Sequence, residues 1–266
     1  MSKLYIGTNT KMYKNIAQTA SFLEALGRQT ADLSRESMEL FVIPSYTALD
    51  RVSVTARAAG IRLGAQNMGW EDEGQFTGEI SPIMLAEVGV TIAEIGHSER
   101  RHVLGETDEM ENRKVHAALR HGMTALLCVG ETKAQRAHGI ADEVLRTQLK
   151  EGLFGVDAAR AEQLWIAYEP VWAIGVGGEP ASAAYAEARH AAIRQALFEL
   201  FGAAGAKIPV LYGGSVNPEN AAALAAQPDI GGLFIGRSAW DAERFAAIIR
   251  QVLPIFADKA EGRRRS

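Results

Sequence analysis

The chain holds a single cysteine, Cys128, in 266 residues. A lone thiol excludes an internal disulfide framework and any multi-cysteine metal site, and it predicts a reducing compartment, the cytoplasm. No apolar run approaches the ~20 residues that a membrane-spanning helix needs. Met1-Ser2-Lys3 leads into a strand rather than a signal peptide, so a soluble, unexported protein is expected, with no membrane partner. An excess of one charge is lacking too: 28 Lys and Arg against 32 Asp and Glu leave a net charge of −4, which gives no reason to expect nucleic acid as a partner. The six histidines show no HxH or HExxH spacing, which argues against a metal enzyme. No linker or shift of composition divides the chain, so one domain is expected over residues 1–258. Residues 259–266, with Arg263-Arg264-Arg265, read as a disordered basic tail, frayed from Lys259 onward.

Short apolar, β-branched runs alternate with amphipathic stretches along the rest of the sequence. Strands are predicted at 4–7, 40–44, 62–66, 92–96, 125–129, 165–168, 210–212 and 233–235, each followed by a helical candidate such as 108–121 or 181–201. Strands that are apolar throughout, joined by helical crossovers, imply a parallel sheet, and eight such units close into an α/β fold of the (β/α)8 barrel type. A doubly wound open sheet is the competing arrangement.

A barrel demands that chemistry sit at the C-terminal ends of its strands, and the unusual residues fall there. Glu169 ends an apolar strand and is followed by the stiff Pro170-Val171-Trp172 and a glycine-rich stretch, the layout of a base beneath a lid. Taken alone, it could equally be a surface carboxylate capping a strand. Lys11, after the first strand beside Asn9 and Thr10, could neutralise a bound anion or be an ordinary surface lysine. His97 precedes a polar run that could open a helical turn, whose N–H groups would disfavour the imidazolium and leave a neutral donor; a satisfied, half-buried histidine is the plainer alternative. Glu99, Arg100 and Arg101 are expected to form a local charge network, with Glu99 in reach of Lys11. Three glycine-bearing turns, Gly175-Val176-Gly177, Gly213-Gly214-Ser215 and Gly236-Arg237, could each be only a tight turn. Three on one rim point to a phosphorylated substrate cradled by backbone N–H groups.

Together these segments resemble the signatures of the triosephosphate isomerase family. Asn9-Thr10-Lys11-Met12, Gly96-His97-Ser98-Glu99-Arg100-Arg101, Cys128-Val129-Gly130-Glu131-Thr132, Ala167-Tyr168-Glu169-Pro170-Val171-Trp172-Ala173-Ile174-Gly175 and Tyr212-Gly213-Gly214-Ser215-Val216 carry the resemblance, which runs from about residue 4 to 256. It implies a cofactor-free, metal-free isomerase that moves a proton between adjacent carbons through an enediolate. Glu169 would be the base, His97 the neutral donor, Lys11 the stabilising charge, Asn9 a further donor and Glu99 the support of Lys11. The backbone at Gly175, Ser215, Gly236 and Arg237 would hold the phosphate of a small sugar, and a lid over 170–181 would exclude water. This division of roles comes with the family and is not read from the residues. The resemblance also implies a homodimer through the loop from Gln66 to Ser81, which carries Thr77-Gly78-Glu79, Trp70 and Phe76.

Three departures cluster at the rim. Thr10 stands where the family has Trp, Gly236-Arg237-Ser238-Ala239-Trp240 where it has Gly-Gly-Ala-Ser-Leu, and Gly178-Glu179-Pro180-Ala181-Ser182 at the lid exit. They look like the branch of the family that acts on four-carbon sugars, the L-erythrulose-1-phosphate isomerases. The resemblance therefore favours L-erythrulose 1-phosphate and D-erythrulose 4-phosphate as the substrate pair. The triose phosphates dihydroxyacetone phosphate and D-glyceraldehyde 3-phosphate are the alternative, and a catalytically silent binding barrel is the reading from another class.

Overall fold

A computed structural model describes residues 3–175 and 177–265; Met1, Ser2, Ser266 and the Val176 of one predicted glycine turn lie outside the described residues. Eight parallel strands, β1 (Leu4–Asn9), β2 (Met38–Ile43), β3 (Arg62–Ala65), β4 (Ile92–Ile95), β5 (Thr124–Val129), β6 (Leu164–Tyr168), β7 (Val210–Tyr212) and β8 (Gly232–Ile235), pair in chain order and close through β1 and β8. Closure decides between barrel and open sheet in favour of the barrel. Each strand lies within two residues of its expected start and end, because the turn and cap residues that bound it are local signals.

Helices α1 (Ile16–Gln29), α2 (Leu49–Ala58), α3 (Pro82–Glu87), α4 (Ser98–His102), α5 (Asp108–Arg120), α6 (Lys133–Ala137), α7 (Ala141–Gly152), α8 (Ala183–Phe201), α9 (Ala221–Ala225) and α10 (Ala242–Arg265) fill the connections. Local sequence starts several of them. Asn15 and Gln18 form a capping box at α1, Thr107 caps α5, and Ser182 caps α8 by accepting from the Tyr185 N–H.

Alternation along each strand separates two cores. Phe41, Ile43, Ile92, Leu126, Cys128, Trp165, Ala167, Leu211 and Phe234 fill the barrel interior, while their strand neighbours pack outward against the helices. At ~25 cal/mol per Å² of apolar surface, this double burial is the main stabilising term. It also makes the barrel a solid platform whose upper end can hold side chains still.

The last helix, α10, spans Ala242–Arg265, and the Lys259 ammonium on it donates to the carbonyls of Ala225, Gln227 and Ile230 at 3.0, 2.5 and 2.9 Å. A charged side chain that satisfies three carbonyls at the end of α9 and in the following turn ties the final helix to the barrel floor.

Candidate active site

At the C-terminal end of the barrel, Asn9, Lys11, His97, Glu169, Gly175, Ser215, Gly236 and Arg237 all line one cavity of about 500 Å³. The residues singled out at five strand ends thus come together in space. Glu99 lines the same cavity.

Strand register places the Glu169 carboxyl. Val129 of β5 pairs with Tyr168 of β6, so Gly130 and Glu169 lie side by side beyond the sheet. A Cβ on Gly130 would come within 1.8 Å of the Glu169 carbonyl oxygen, and one on Gly213 within 2.9 Å of its Cγ. Gly213 therefore leaves room for this side chain, and Gly130 for the backbone that carries it. Oε2 accepts the Ser98 N–H at 3.1 Å, at the start of α4, and Oε1 lies 3.5 Å from His97 Nε2. The carboxyl is almost entirely buried, which keeps water from competing for it.

His97 is fixed by its own turn. Its Nδ1 accepts the Glu99 N–H at 3.1 Å. With Nδ1 turned to the backbone, Nε2 is the ring nitrogen presented to Glu169 and the cavity.

Lys11 has φ of 51°, in the left-handed region that an L side chain adopts at a cost of about 1 kcal/mol or more. Two bonds hold the turn: the Lys11 N–H donates to Asn9 Oδ1 at 2.6 Å, and Gln66 Nε2 donates to the Lys11 carbonyl at 2.8 Å. Lys11 Nζ reaches Glu99 Oε1 at 2.6 Å. Burial, the largest single influence, raises the Glu99 proton affinity, but the bond from Lys11 and the neighbouring His97 and Lys11 together outweigh it and hold the carboxyl below its ordinary range.

The expected Glu99-Arg100-Arg101 network does not form. The short helix α4 turns successive side chains about 100° apart. Glu99 consequently faces Lys11, Arg100 Nε pairs with Glu106 Oε1 at 2.7 Å, and Arg101 turns to Asp108 and Glu111.

Several residues of the site had gone unnoticed as candidates. Trp240 lines the cavity, donates its indole N–H to the Asn9 carbonyl at 2.9 Å and stacks on Tyr13 with ring centroids 4.7 Å apart. Its presence in a departing motif was the available signal. Glu131 gathers three donors, the Tyr168 and Tyr185 hydroxyls and the Trp172 indole N–H, and so clamps the entry of the 170–181 segment. Gly175 and Gly177 farther along that segment have φ of 85°, which the flexible exit requires. Glu94, on β4, offers an oxygen within 4.8 Å of Cys128 Sγ and a Glu169 oxygen. Burial pushes both Glu94 and Cys128 above their ordinary values. A thiol and a carboxyl whose burial makes them harder to deprotonate are a poor donor set for a cation.

The family model of triosephosphate isomerase matches residues 4–252. The chain belongs to the triosephosphate isomerase family. Among curated relatives, the L-erythrulose-1-phosphate isomerase of Rhizobium meliloti is 49% identical over 254 residues, covering 94% of this chain and 97% of the relative. That of Rhizobium etli is 48% identical over 251 residues, covering 94% and 92%. Among solved structures, the triosephosphate isomerase of Bartonella henselae superposes with a TM-score of 0.84 at 36% identity, covering 94% of this chain and 98% of that one. Both substrate branches of this isomerase family, triose and tetrulose, are thus represented among its relatives.

Proposed function

We propose that this protein is a sugar-phosphate isomerase that interconverts L-erythrulose 1-phosphate and D-erythrulose 4-phosphate by proton transfer. The observation that carries the reading is the pairing of the Glu169 carboxyl with His97 Nε2, 3.5 Å apart and facing one cavity that Lys11 and three glycine-bearing turns also line. The relatives named for the tetrulose phosphate favour the four-carbon substrate.

Glu169 removes the proton from C3, the C–H electron pair becomes the C2=C3 double bond, and the carbonyl oxygen takes up the negative charge. His97 Nε2–H and the Lys11 ammonium stabilise that oxygen, and Asn9 adds a hydrogen bond. The O3 hydroxyl proton passes to O2 by way of His97, and protonated Glu169 then returns its proton to C2, which takes the C2=C3 electron pair as a new C–H bond while the O3 electron pair closes the C3 carbonyl. The carboxylate must first exchange the Ser98 N–H for substrate, which makes its present orientation the resting one. Glu99 holds the Lys11 ammonium in place. The phosphate is held by the backbone at Gly175, Ser215, Gly236 and Arg237, with the guanidinium of Arg237 adding charge. Closure of 170–181 excludes water, which prevents loss of phosphate from the enediolate. The chemistry calls for no cofactor and no metal.

Triose phosphates are the second reading, supported by the likeness to the Bartonella henselae enzyme. The extra hydroxymethyl group changes binding by only ~1–3 kcal/mol in a site that merely tolerates it. A homodimer through the 66–81 loop belongs to the same proposal. Trp70 and Phe76 stack edge to face on that loop, and Met12, Phe76 and Met84 are exposed apolar side chains that a second subunit would cover. Among the described residues no helix is long and apolar enough to cross a membrane. The free, buried Cys128 suits the cytoplasm.

Deuterium exchange in heavy water, with L-erythrulose 1-phosphate and dihydroxyacetone phosphate supplied separately, tests the proposal. Exchange is expected at C3 of the tetrulose phosphate, faster than with the triose. No exchange with either sugar removes the isomerase reading, and exchange with the triose alone moves the enzyme to the other branch.

A further inference from the structure

One ionisable side chain of the barrel interior has no part in the chemistry above. Glu94 follows Ile92 at the inward-facing positions of β4, sits below the residues that line the cavity and is only 1% exposed. A carboxyl buried this deeply is less stable than an apolar side chain of its size unless its polar atoms are occupied. Its occupation is specific. Glu94 Oε2 accepts from Asn9 Nδ2 at 2.6 Å, and Cys128 Sγ lies 4.0 Å from Oε1.

The bond to Asn9 is the first of a chain that leads out to the cavity. Asn9 Oδ1, the other end of the same amide, accepts the Lys11 N–H at 2.6 Å, and Lys11 Nζ reaches Glu99. The Lys11 N–H selects Oδ1 on the cavity side and the Glu94 oxygen selects Nδ2 inside the barrel, so the amide is held from both ends. If the acceptor at Glu94 is removed, Nδ2 is left unpaired in a buried place, and the amide that offsets the strain of the left-handed turn at Lys11 is held by one bond only.

We propose that Glu94 is a positioning residue of the isomerase site, fixing the Asn9 amide from inside the barrel and, through it, the strained turn that presents Lys11 to the substrate. The inference rests on the isomerase reading. The ionisable groups that bear on Glu94 are Glu169 from the end of β6, Glu99 from α4, Lys11 from the turn after β1, Cys128 from β5 and Tyr46 from the turn after β2. Burial, followed by the charge of Glu169, raises the Glu94 proton affinity well above that of an ordinary carboxyl.

The test compares wild type, Glu94→Leu and Glu94→Gln by steady-state kinetics with L-erythrulose 1-phosphate and by thermal unfolding. Leu is expected to lower kcat at least tenfold while KM stays within threefold and Tm is equal to or above that of wild type. Gln keeps a neutral acceptor for Asn9 and is expected to recover more than half of the lost kcat. The inference is overturned if Leu retains kcat within twofold, if Gln is no better than Leu, or if the loss of activity merely follows a loss of folded protein. Should Glu94→Leu fail to fold, Glu94→Met poses the same question with an unbranched side chain of similar volume. An inactive wild type ends both readings, whereas an active wild type with an indifferent Glu94 ends only this one.

Discussion

The Trp240 indole N–H donates to the backbone carbonyl of Asn9 at 2.9 Å, joining two residues 231 positions apart in the chain. It ties the loop after β8 to the end of β1, across the seam where the barrel closes. Trp240→Phe keeps the ring against Tyr13 and deletes the donor. Stability should fall by about 1 kcal/mol, and KM for the sugar phosphate should rise by several-fold, since Asn9 and the loop that carries Arg237 lose their common tether. Kinetics together with chemical denaturation check this; a KM equal to that of wild type separates Trp240 from substrate binding.

Shortening the base is the sharpest probe of geometry. Glu169→Asp withdraws the carboxyl by ~1 Å, and misplacement of that size lowers kcat by ~10²-fold. KM should change little, because the loss falls on proton transfer. Single-turnover measurements report it directly, and a kcat within threefold of wild type takes Glu169 out of the base role.

Arg237 faces the cavity where the wider family has glycine. In Arg237→Gly a charged hydrogen bond to phosphate, of about 1.5–3 kcal/mol, is lost, so KM should increase by roughly tenfold or more for both sugars. If KM and kcat stay the same for each sugar, the guanidinium makes no contact with the phosphate.

Glu131 accepts from Trp172 Nε1 at 2.8 Å and from Tyr185 Oη at 2.9 Å, as well as from the Tyr168 hydroxyl. Glu131→Gln replaces one acceptor oxygen by a donor, so at least one of the three donors is left unsatisfied in a buried place. A loss of ~1–3 kcal/mol in stability is expected. The lid entry should loosen with it, seen as faster proteolysis within 170–181. Unaltered cleavage there would show that the clamp does not restrain the lid.

Stability against acid should depend on His190. The ring is wholly buried between Tyr168 and Tyr212, and burial, reinforced by the nearby Arg194 charge, pushes its pKa from 6.5 down to about 3. Between these values the unfolded chain binds a proton that the native protein does not. The contribution of the neutral ring is therefore complete above pH 6.5 and is lost as pH falls toward 3. His190→Phe removes this term, so the slope of unfolding free energy against pH should flatten by up to ~1.4 kcal/mol per pH unit. Urea unfolding at several pH values measures it, and parallel slopes for the two proteins would contradict the assignment.

The sequence by itself determined the eight strands, the caps that start the helices and most of the cavity lining, because these depend on neighbours in the chain. A β-branched run between turn residues is a strand wherever it later packs, and Ser182 caps α8 through a bond only three residues long. The strand-end residues were legible for a related reason: in a parallel barrel all strands finish on one face, so knowing where each strand stops brings Asn9, His97, Glu169 and Gly213 to a common rim. Tertiary structure alone decided the rest. Closure of β8 onto β1 leaves no local mark. Strands buried on both faces lose the polar alternation that separates inside from outside, so nothing in Ile92-Ala93-Glu94-Ile95 told which way Glu94 points. Its bond to Asn9, the reach of Trp240 across the seam and the divergent partners of Glu99, Arg100 and Arg101 exist only once strands distant in sequence are held side by side.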